Sequence, residues 1–209
     1  QVEDEWNIRT LQALFEKGLD GASLALRTED AAQWARKVRA VRQAANDTGM
    51  LPVLMAEIVE TTTEKRMLAA EMAIKSGMDC VIVDATPDSQ SLIEIRRVLD
   101  ADEANLMLFA RITDHAANME EALQIADGLI IDGALMVGIE PGCPLSAVAL
   151  RASQTGKTLF VSGSVQETMA ESGVEGQELI NKSLHKGFDG VAVTTGGAAY
   201  KFPLDVLAA

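Results

Sequence analysis

Charged and hydroxyl-bearing residues stand at the ends of several short apolar runs. They are Glu57, Asp84, Arg111, Asp132, Ser162 and Thr194. If these runs are parallel strands, their ends meet at one edge of a sheet, where carboxylates can bind a hard cation such as Mg²⁺ or Mn²⁺. One hypothesis is therefore a metal site with Glu57, Asp84 and Asp132 as ligands. Arg111 would be its catalytic group, holding a carboxylate or phosphate through two parallel hydrogen bonds.

The competing interpretation gives Arg111 a structural role, and it is the favoured one. Buried charges must be paired whether or not a ligand binds. A strand-end guanidinium among carboxylates is therefore expected to pair with an acid, Asp84 or Asp132, and to neutralise this edge of the sheet.

A turn after the last apolar run is a candidate phosphate-binding site. Thr194, Thr195 and Gly196 could present backbone amides to a phosphate at the start of a helix. The turn lacks the full GxGxxG spacing, so the hypothesis depends on a Gly-rich turn alone.

The elements that must position these residues alternate between short apolar runs and segments with a helical period. Seven runs are predicted to be strands, at residues 22–26, 52–56, 80–84, 106–110, 128–132, 158–162 and 190–194. The predicted helices between them cover residues 31–45, 64–75, 89–99, 119–125, 145–154 and 176–185. This alternation is typical of a parallel sheet with crossover helices.

Glycine and aspartate recur immediately before the strands, as in Gly18-Leu19-Asp20 and Gly77-Met78-Asp79. Glycine can end a helix in the left-handed conformation, and aspartate can accept hydrogen bonds from turn amides. Short loops at this spacing favour a (β/α)₈ TIM-barrel type of fold over a doubly wound sheet. No linker interrupts the pattern, so residues 1–209 are predicted to form a single domain.

Composition excludes several classes of partner. The 209 residues carry a formal net charge of -13, which repels nucleic-acid phosphates and anionic lipid surfaces. No apolar stretch approaches the roughly 18 residues that span a bilayer, and residues 1–6 lack the features of a signal peptide. We expect a soluble, intracellular protein of the cytoplasm or an organelle matrix, with Cys80 and Cys143 buried and reduced.

Five segments, in collinear order, resemble the barrel domain of pyruvate kinase. Ala110-Arg111-Ile112-Thr113-Asp114 stands in place of that family's Ala-Lys-Ile-Glu-Asn, and residues 190–203 are similar to its last strand and loop. The other three segments are residues 11–18, 76–99 and 162–169. The resemblance covers most of the chain and implies an eight-stranded barrel.

The residues that the resemblance would assign to phosphoryl transfer are largely replaced. Arg111 stands at the family's lysine, Thr113 at its metal-binding glutamate, and Leu135 at or near its metal-binding aspartate. Loss of two carboxylates should abolish that divalent-cation site. There is also no room between Ile58 and Glu64 for the lid domain that the family inserts there.

These departures favour a degenerate, non-catalytic pyruvate-kinase-like subunit that is a structural or regulatory part of a larger assembly. The alternative is a metal-dependent lyase, aldolase or phosphotransferase that acts on a small oxo acid such as pyruvate or phosphoenolpyruvate, with Mg²⁺ or Mn²⁺ as cofactor. The family's first strand would lie before Gln1, leaving the first visible strand with an open edge. A protein partner or a second copy of the chain is therefore expected.

Overall fold

The computed structural model describes residues 8–85, 89–113, 119–132, 150–163 and 188–193. The helices in these ranges are α1 (Ile8–Glu16), α2 (Ala31–Thr48), α3 (Thr63–Lys75), α4 (Gln90–Ala101) and α5 (Met119–Ile125). The strands are β1 (Gly21–Leu26), β2 (Val53–Ile58), β3 (Cys80–Asp84), β4 (Met107–Thr113), β5 (Gly128–Asp132), β6 (Thr158–Gly163) and β7 (Gly190–Val193). A 3-10 turn at Thr28–Asp30 precedes α2, and residues 150–154 are also helical.

All seven predicted strands are confirmed, and their ends shift by three residues at most. Four of the predicted helices correspond to α2, α3, α4 and α5. The described part of the helix predicted at 145–154 is helical, whereas the helix predicted at 176–185 lies outside the described residues. Apolar periodicity was therefore sufficient to separate strand from helix along the described chain.

The seven described strands form one sheet in the order β1-β2-β3-β4-β5-β6-β7. Each of the pairs β1–β2, β4–β5, β5–β6 and β6–β7 is parallel. A doubly wound sheet reverses its strand order at a switch point, and this order does not reverse. The protein is an α/β protein whose sheet is compatible with the TIM-barrel-like class.

The described residues fall into two compact units. The first comprises residues 8–82 and 97–106, and the second comprises residues 83–96 and 107–193. The division passes through β3 and α4, and each unit is considered separately below. The single domain predicted for residues 1–209 stays a prediction. None of the described helices has the length and hydropathy needed to cross a membrane.

In the first unit, the two faces of the β1–β2 pair differ in burial. Leu24 and Leu26 of β1, like Ala56 and Ile58 of β2, are at most 4% exposed. Register pairs Leu24 with Ala56 and Leu26 with Ile58, so these side chains share one face. The opposite face is less buried: Ser23 and Ala25 of β1 are exposed, and on β2 it carries the exposed Val53 beside the half-buried Met55 and Glu57. The buried face accounts for the apolar residues by which these two short runs were predicted to be strands.

In the second unit, aromatic rings lie over glycines of the next strand. Phe109 is paired with Gly128, and Phe160 with Gly190. A Cβ atom at either glycine would overlap the neighbouring ring. The two rings contact each other at a centroid distance of 5.5 Å and a tilt of 58°. The two glycines thus make room for an aromatic cluster on this face of the sheet.

An aspartate joins each of three strand pairs at its start. Asp79, Asp127 and Asp189 immediately precede β3, β5 and β7. Each accepts a side-chain hydrogen bond of 2.7–2.8 Å from a backbone amide in the preceding strand. Each also donates its own amide to the carbonyl of that same residue, at 2.8–2.9 Å. The residues joined in this way are Leu54, Leu108 and Leu159. We call this two-bond arrangement the aspartate clamp.

The aspartate clamp differs from the role that the sequence suggested for these residues. Their carboxylates were expected to bind amides within their own turns, but they bind the second residue of the strand before. The amide of the second residue of that strand still needs an acceptor. The neighbouring chain is in a turn at this point and offers no backbone carbonyl, so the aspartate carboxylate accepts the hydrogen bond instead.

Arginines support the same strand pairs from the helical layer. Arg42 of α2 donates to the carbonyls of Ser76 and Gly77 after α3, at 2.6 and 2.8 Å. Arg96 of α4 donates to the carbonyl of Ile125 at 3.1 Å and forms a 2.7 Å ion pair with Asp127. Both arginines satisfy carbonyls at a helix C-terminus. An arginine from the helical layer therefore accompanies two of the three described clamps, those before β3 and β5.

Removing one aspartate clamp should destabilise the fold measurably. Asp79→Ala leaves the Leu54 amide without its acceptor, and the expected loss is about 1 kcal/mol, the usual net value of a hydrogen bond. Asp102→Ala, at an exposed position just after α4, controls for the loss of one negative charge. Urea unfolding should show a lower midpoint for Asp79→Ala than for Asp102→Ala, and equal midpoints would contradict the clamp's role.

Candidate functional site

The strand-end residues of the second unit lie in two successive layers across the sheet. In the layer nearer the strand ends, Thr113, Asp132 and Ser162 are direct neighbours on β4, β5 and β6. Arg111 is paired with Ile130, which places it one layer below on the same face. The register therefore brings Asp132 and Ser162 together and holds Arg111 close to their layer.

Asp132 and Ser162 form the best-defined contact at these strand ends. Ser162 Oγ donates to Asp132 Oδ1 at 2.5 Å, and Ser162 is 2% exposed. A short hydroxyl–carboxylate bond of this kind is charge-assisted. The acid that was predicted as a metal ligand thus accepts a hydrogen bond that ties β5 to β6.

Arg111 and Asp84 are both described, and they differ in exposure. Arg111 is half-buried in β4, and its carbonyl accepts the amide of Ala85 at 2.9 Å. Asp84, the last residue of β3, is exposed. Each of the two residues has a further interaction of its own. The pairing of Arg111 with Asp84 or Asp132 stays a prediction.

Glu57 belongs to the first unit. It is half-buried on β2 and paired with Ala25 of β1, on the face opposite the buried Leu24 and Ala56. Within the described ranges, no three His, Cys, Asp or Glu side chains are grouped so that they could hold a metal ion. The metal role of Glu57, Asp84 and Asp132 stays a prediction, and Thr194, Thr195 and Gly196 lie outside the described residues.

A second tie, which sequence reasoning missed, joins the loops after β1 and β2. The amide and the Oγ of Thr28 both donate to Glu60 Oε1, at 2.5 and 2.7 Å. The neighbouring Glu29 forms a 3.2 Å ion pair with Lys65. Thr28 lies two residues after β1, and Glu60 lies two residues after β2. This equal spacing, with a hydroxyl donor after one strand and a carboxylate acceptor after the next, was the signal in the sequence.

The loop that carries Glu60 is held from a third direction. Arg66 of α3 donates to the carbonyl of Glu60 at 3.1 Å and to that of Thr61 at 3.0 Å. Thr62 caps α3, because its side chain accepts the amide of Lys65 at 3.4 Å. The side chain of Glu60 is thereby directed at Thr28 by the start of the helix that follows it.

Electrostatics favours the ionised form of Glu60. Burial alone raises the pKa of its carboxyl, but the two hydrogen bonds from Thr28, with smaller contributions from Lys65 and Arg27, outweigh it and hold the pKa below its usual value of 4.5. Hydrogen bonds donated to a carboxylate stabilise its charged state. The Thr28–Glu60 tie is therefore strongest at neutral pH.

Comparison with known proteins found neither a matching family model nor a significant match among curated proteins.

The lowered pKa of Glu60 predicts a specific acid sensitivity. A carboxyl group whose pKa falls on folding contributes stability above pH 4.5, and loses it as the pH drops through the folded value. At pH 7, Glu60→Gln should reduce the free energy of unfolding by about 1 kcal/mol or less, since solvent screens this half-exposed group.

The difference between wild type and Glu60→Gln should then shrink toward zero below pH 4.5. Glu16→Gln, at an exposed position of α1, controls for general charge effects. Denaturant unfolding at several pH values measures both variants. A difference that is independent of pH would show that the Thr28–Glu60 tie does not titrate as argued.

Proposed function

We propose that this chain is a degenerate pyruvate-kinase-like barrel that serves as a non-catalytic, structural or regulatory subunit of a larger assembly. The observation that carries the proposal is that carboxylates at the strand ends, or in the loops just after them, accept hydrogen bonds from the neighbouring strand or loop. Asp132 accepts its hydrogen bond from Ser162 on β6, and Glu60 accepts two from Thr28 after β1. In a barrel enzyme, residues at these ends would instead meet the substrate or its metal.

The chemistry of the replaced residues supports the same proposal. Thr113 stands beside Asp132 in the register, at the position where the resemblance would place a metal-binding glutamate. A threonine hydroxyl is a neutral, weaker ligand for a hard divalent cation than a carboxylate. Arg111 offers a planar fork for an anion, but its guanidinium does not release a proton to an enolate.

We further propose that the complete fold is a (β/α)₈ barrel. Sequential strand order and parallel pairing support it. In such a barrel, the outer edge of β1 requires one more parallel strand. An uncovered edge exposes backbone donors and acceptors, which proteins usually pair or shield.

The non-catalytic proposal predicts no Mg²⁺-dependent transfer of the phosphoryl group from phosphoenolpyruvate to ADP. Pyruvate and ATP formation should equal the background rate for the wild type and for Arg111→Ala. A Mg²⁺-dependent turnover that Arg111→Ala abolishes would overturn the proposal. Melting temperatures with and without Mg²⁺ or Mn²⁺ test the metal-dependent alternative, because a ligand of the native state raises them. A rise that Asp132→Asn removes would favour that alternative.

The role in an assembly predicts that residues 1–209 do not persist as a stable monomer. Apolar side chains of neighbouring strands would be uncovered beside the open edge of β1, and exposed apolar surface promotes association. Light scattering after gel filtration should show self-association or aggregation of this segment. A monodisperse monomer with cooperative unfolding above about 60 °C, at the upper end of the mesophile range, would contradict the expectation.

A further inference from the structure

The apolar side chains of α3 are distributed by size in an unusual way. Its buried residues are the alanines Ala69, Ala70 and Ala73, all fully enclosed. The larger side chains of Met67 and Leu68 are 42% and 48% exposed. A helix that packs on one side only normally turns its large apolar residues inward. Folding of one chain therefore leaves uncovered those side chains of α3 that would gain most from burial.

A row of residues runs along the outer side of the same helix. Glu64, Leu68, Glu71 and Lys75 follow one another at intervals of four, three and four residues, which places them on one helical face. Glu64, Leu68 and Lys75 are exposed, and Glu71 is half-buried. We call this row the outer face of α3.

The charges on the outer face of α3 make this face complementary to itself. Among the described residues, no ion pair or hydrogen bond involves the carboxylate of Glu64, at the start of the row. Lys75, at the end of the row, has a side chain that is 73% exposed and pairs with Glu71 at 3.1 Å. Lys65, between them, is occupied by Glu29 at 3.2 Å. An acid at one end and a base at the other can pair with each other when two such helices run antiparallel.

We propose that the outer face of α3 is a homodimer interface, at which α3 packs antiparallel against α3 of a second copy of this chain about a two-fold axis. With the axis between Leu68 and Glu71, Glu64 of each copy lies opposite Lys75 of the other. The two Leu68 side chains then meet near the axis, and Met67 beside the row extends the apolar contact. A shift by one helical turn in either direction would bring glutamates opposite glutamates, so the charges select a single register.

A second copy fits this face better than a partner of one charge sign. The chain has a net charge of -13, so two copies repel each other over most of their surfaces. Helix α3 carries three basic and two acidic side chains, and two copies can approach there without net acidic repulsion. A basic partner would leave Lys75 opposed by like charge, and an acidic partner would do the same to Glu64. The self-complementary order of charges is satisfied at both ends by an identical helix.

The length of α3 sets the strength of the contact. A helix of 13 residues is about 20 Å long. Two such helices side by side bury less than the roughly 1,600 Å² of a standard interface. We therefore expect a weak, reversible dimer with a Kd in the micromolar range or above. This contact involves neither the edge of β1 nor the residues at the strand ends, and it goes beyond the proposed function because it holds whether or not the chain is catalytic.

Charge-reversal variants test the pairing directly, with sedimentation velocity over a range of concentrations as the measurement. Glu64→Lys and Lys75→Glu should each weaken self-association roughly tenfold or more, because like charges then meet twice across the two-fold axis. An equimolar mixture of the two variants should regain association, since each end of the mixed dimer again joins an acid to a base. Glu16→Lys, at an exposed position of α1, makes the same charge change elsewhere and should associate as the wild type does.

Leu68→Glu provides a second readout at the centre of the outer face of α3. It places a carboxylate near Glu71 of the other copy and should weaken the dimer. The melting temperature of the monomer should change little, because Leu68 is exposed. Leu150→Glu is the matched control, since Leu150 is 60% exposed outside α3, and it should associate as the wild type does.

Three outcomes would overturn the proposal. The first is a wild type that stays monomeric at the highest concentrations reached. The second is association of equal strength in the wild type and in all variants, which would assign it to another surface such as the edge of β1. The third is a mixture of folded Glu64→Lys and Lys75→Glu chains that does not regain association. None of these outcomes bears on the phosphoryl-transfer assay, so the dimer and the non-catalytic role fail separately.

Discussion

The second amide of each even-numbered strand must find a hydrogen-bond acceptor, and the structure depends on how this requirement is met. In a parallel sheet the next strand normally supplies a carbonyl, but here that chain is still emerging from a turn. The carboxylates of Asp79, Asp127 and Asp189 take the carbonyl's place. Because each aspartate also donates its own amide, the pair of strands is joined at two points and its register is set from the start.

Register in turn determines which side chains share a face, since a shift of one residue would exchange the two faces of a strand. With the observed register, Leu108, Leu129 and Leu159 are all at most 3% exposed, on the face opposite Phe109 and Phe160. The aromatic rings lie over Gly128 and Gly190, where no side chain competes for the space. The register of the β5–β6 pair, which lies between two clamped pairs, aligns Asp132 with Ser162 at the strand ends.

The acids at and just after the strand ends illustrate how a parallel sheet can supply hydrogen bonds to carboxylates at its edge. A carboxylate at this edge must be solvated, bound to a cation or supplied with hydrogen bonds. Asp132 and Glu60 are supplied by hydroxyl groups of neighbouring elements, and the pKa of Glu60 is lowered as a result. Interactions of this kind stabilise the loops that follow the strands.

The sequence by itself determined the element order of the described chain, because apolar alternation and helical periodicity are local properties that survive without knowledge of contacts. It also placed Asp20, Asp79, Asp127 and Asp189 in the turns before strands, and Asp132 and Ser162 at the ends of strands. Only the tertiary structure decided what these side chains bind. The Asp132–Ser162 bond joins residues 30 positions apart, and the Thr28–Glu60 bonds join residues 32 positions apart. Such pairs depend on register between strands, which no local pattern encodes, and so the ties and the clamps became visible only when the strands were placed side by side.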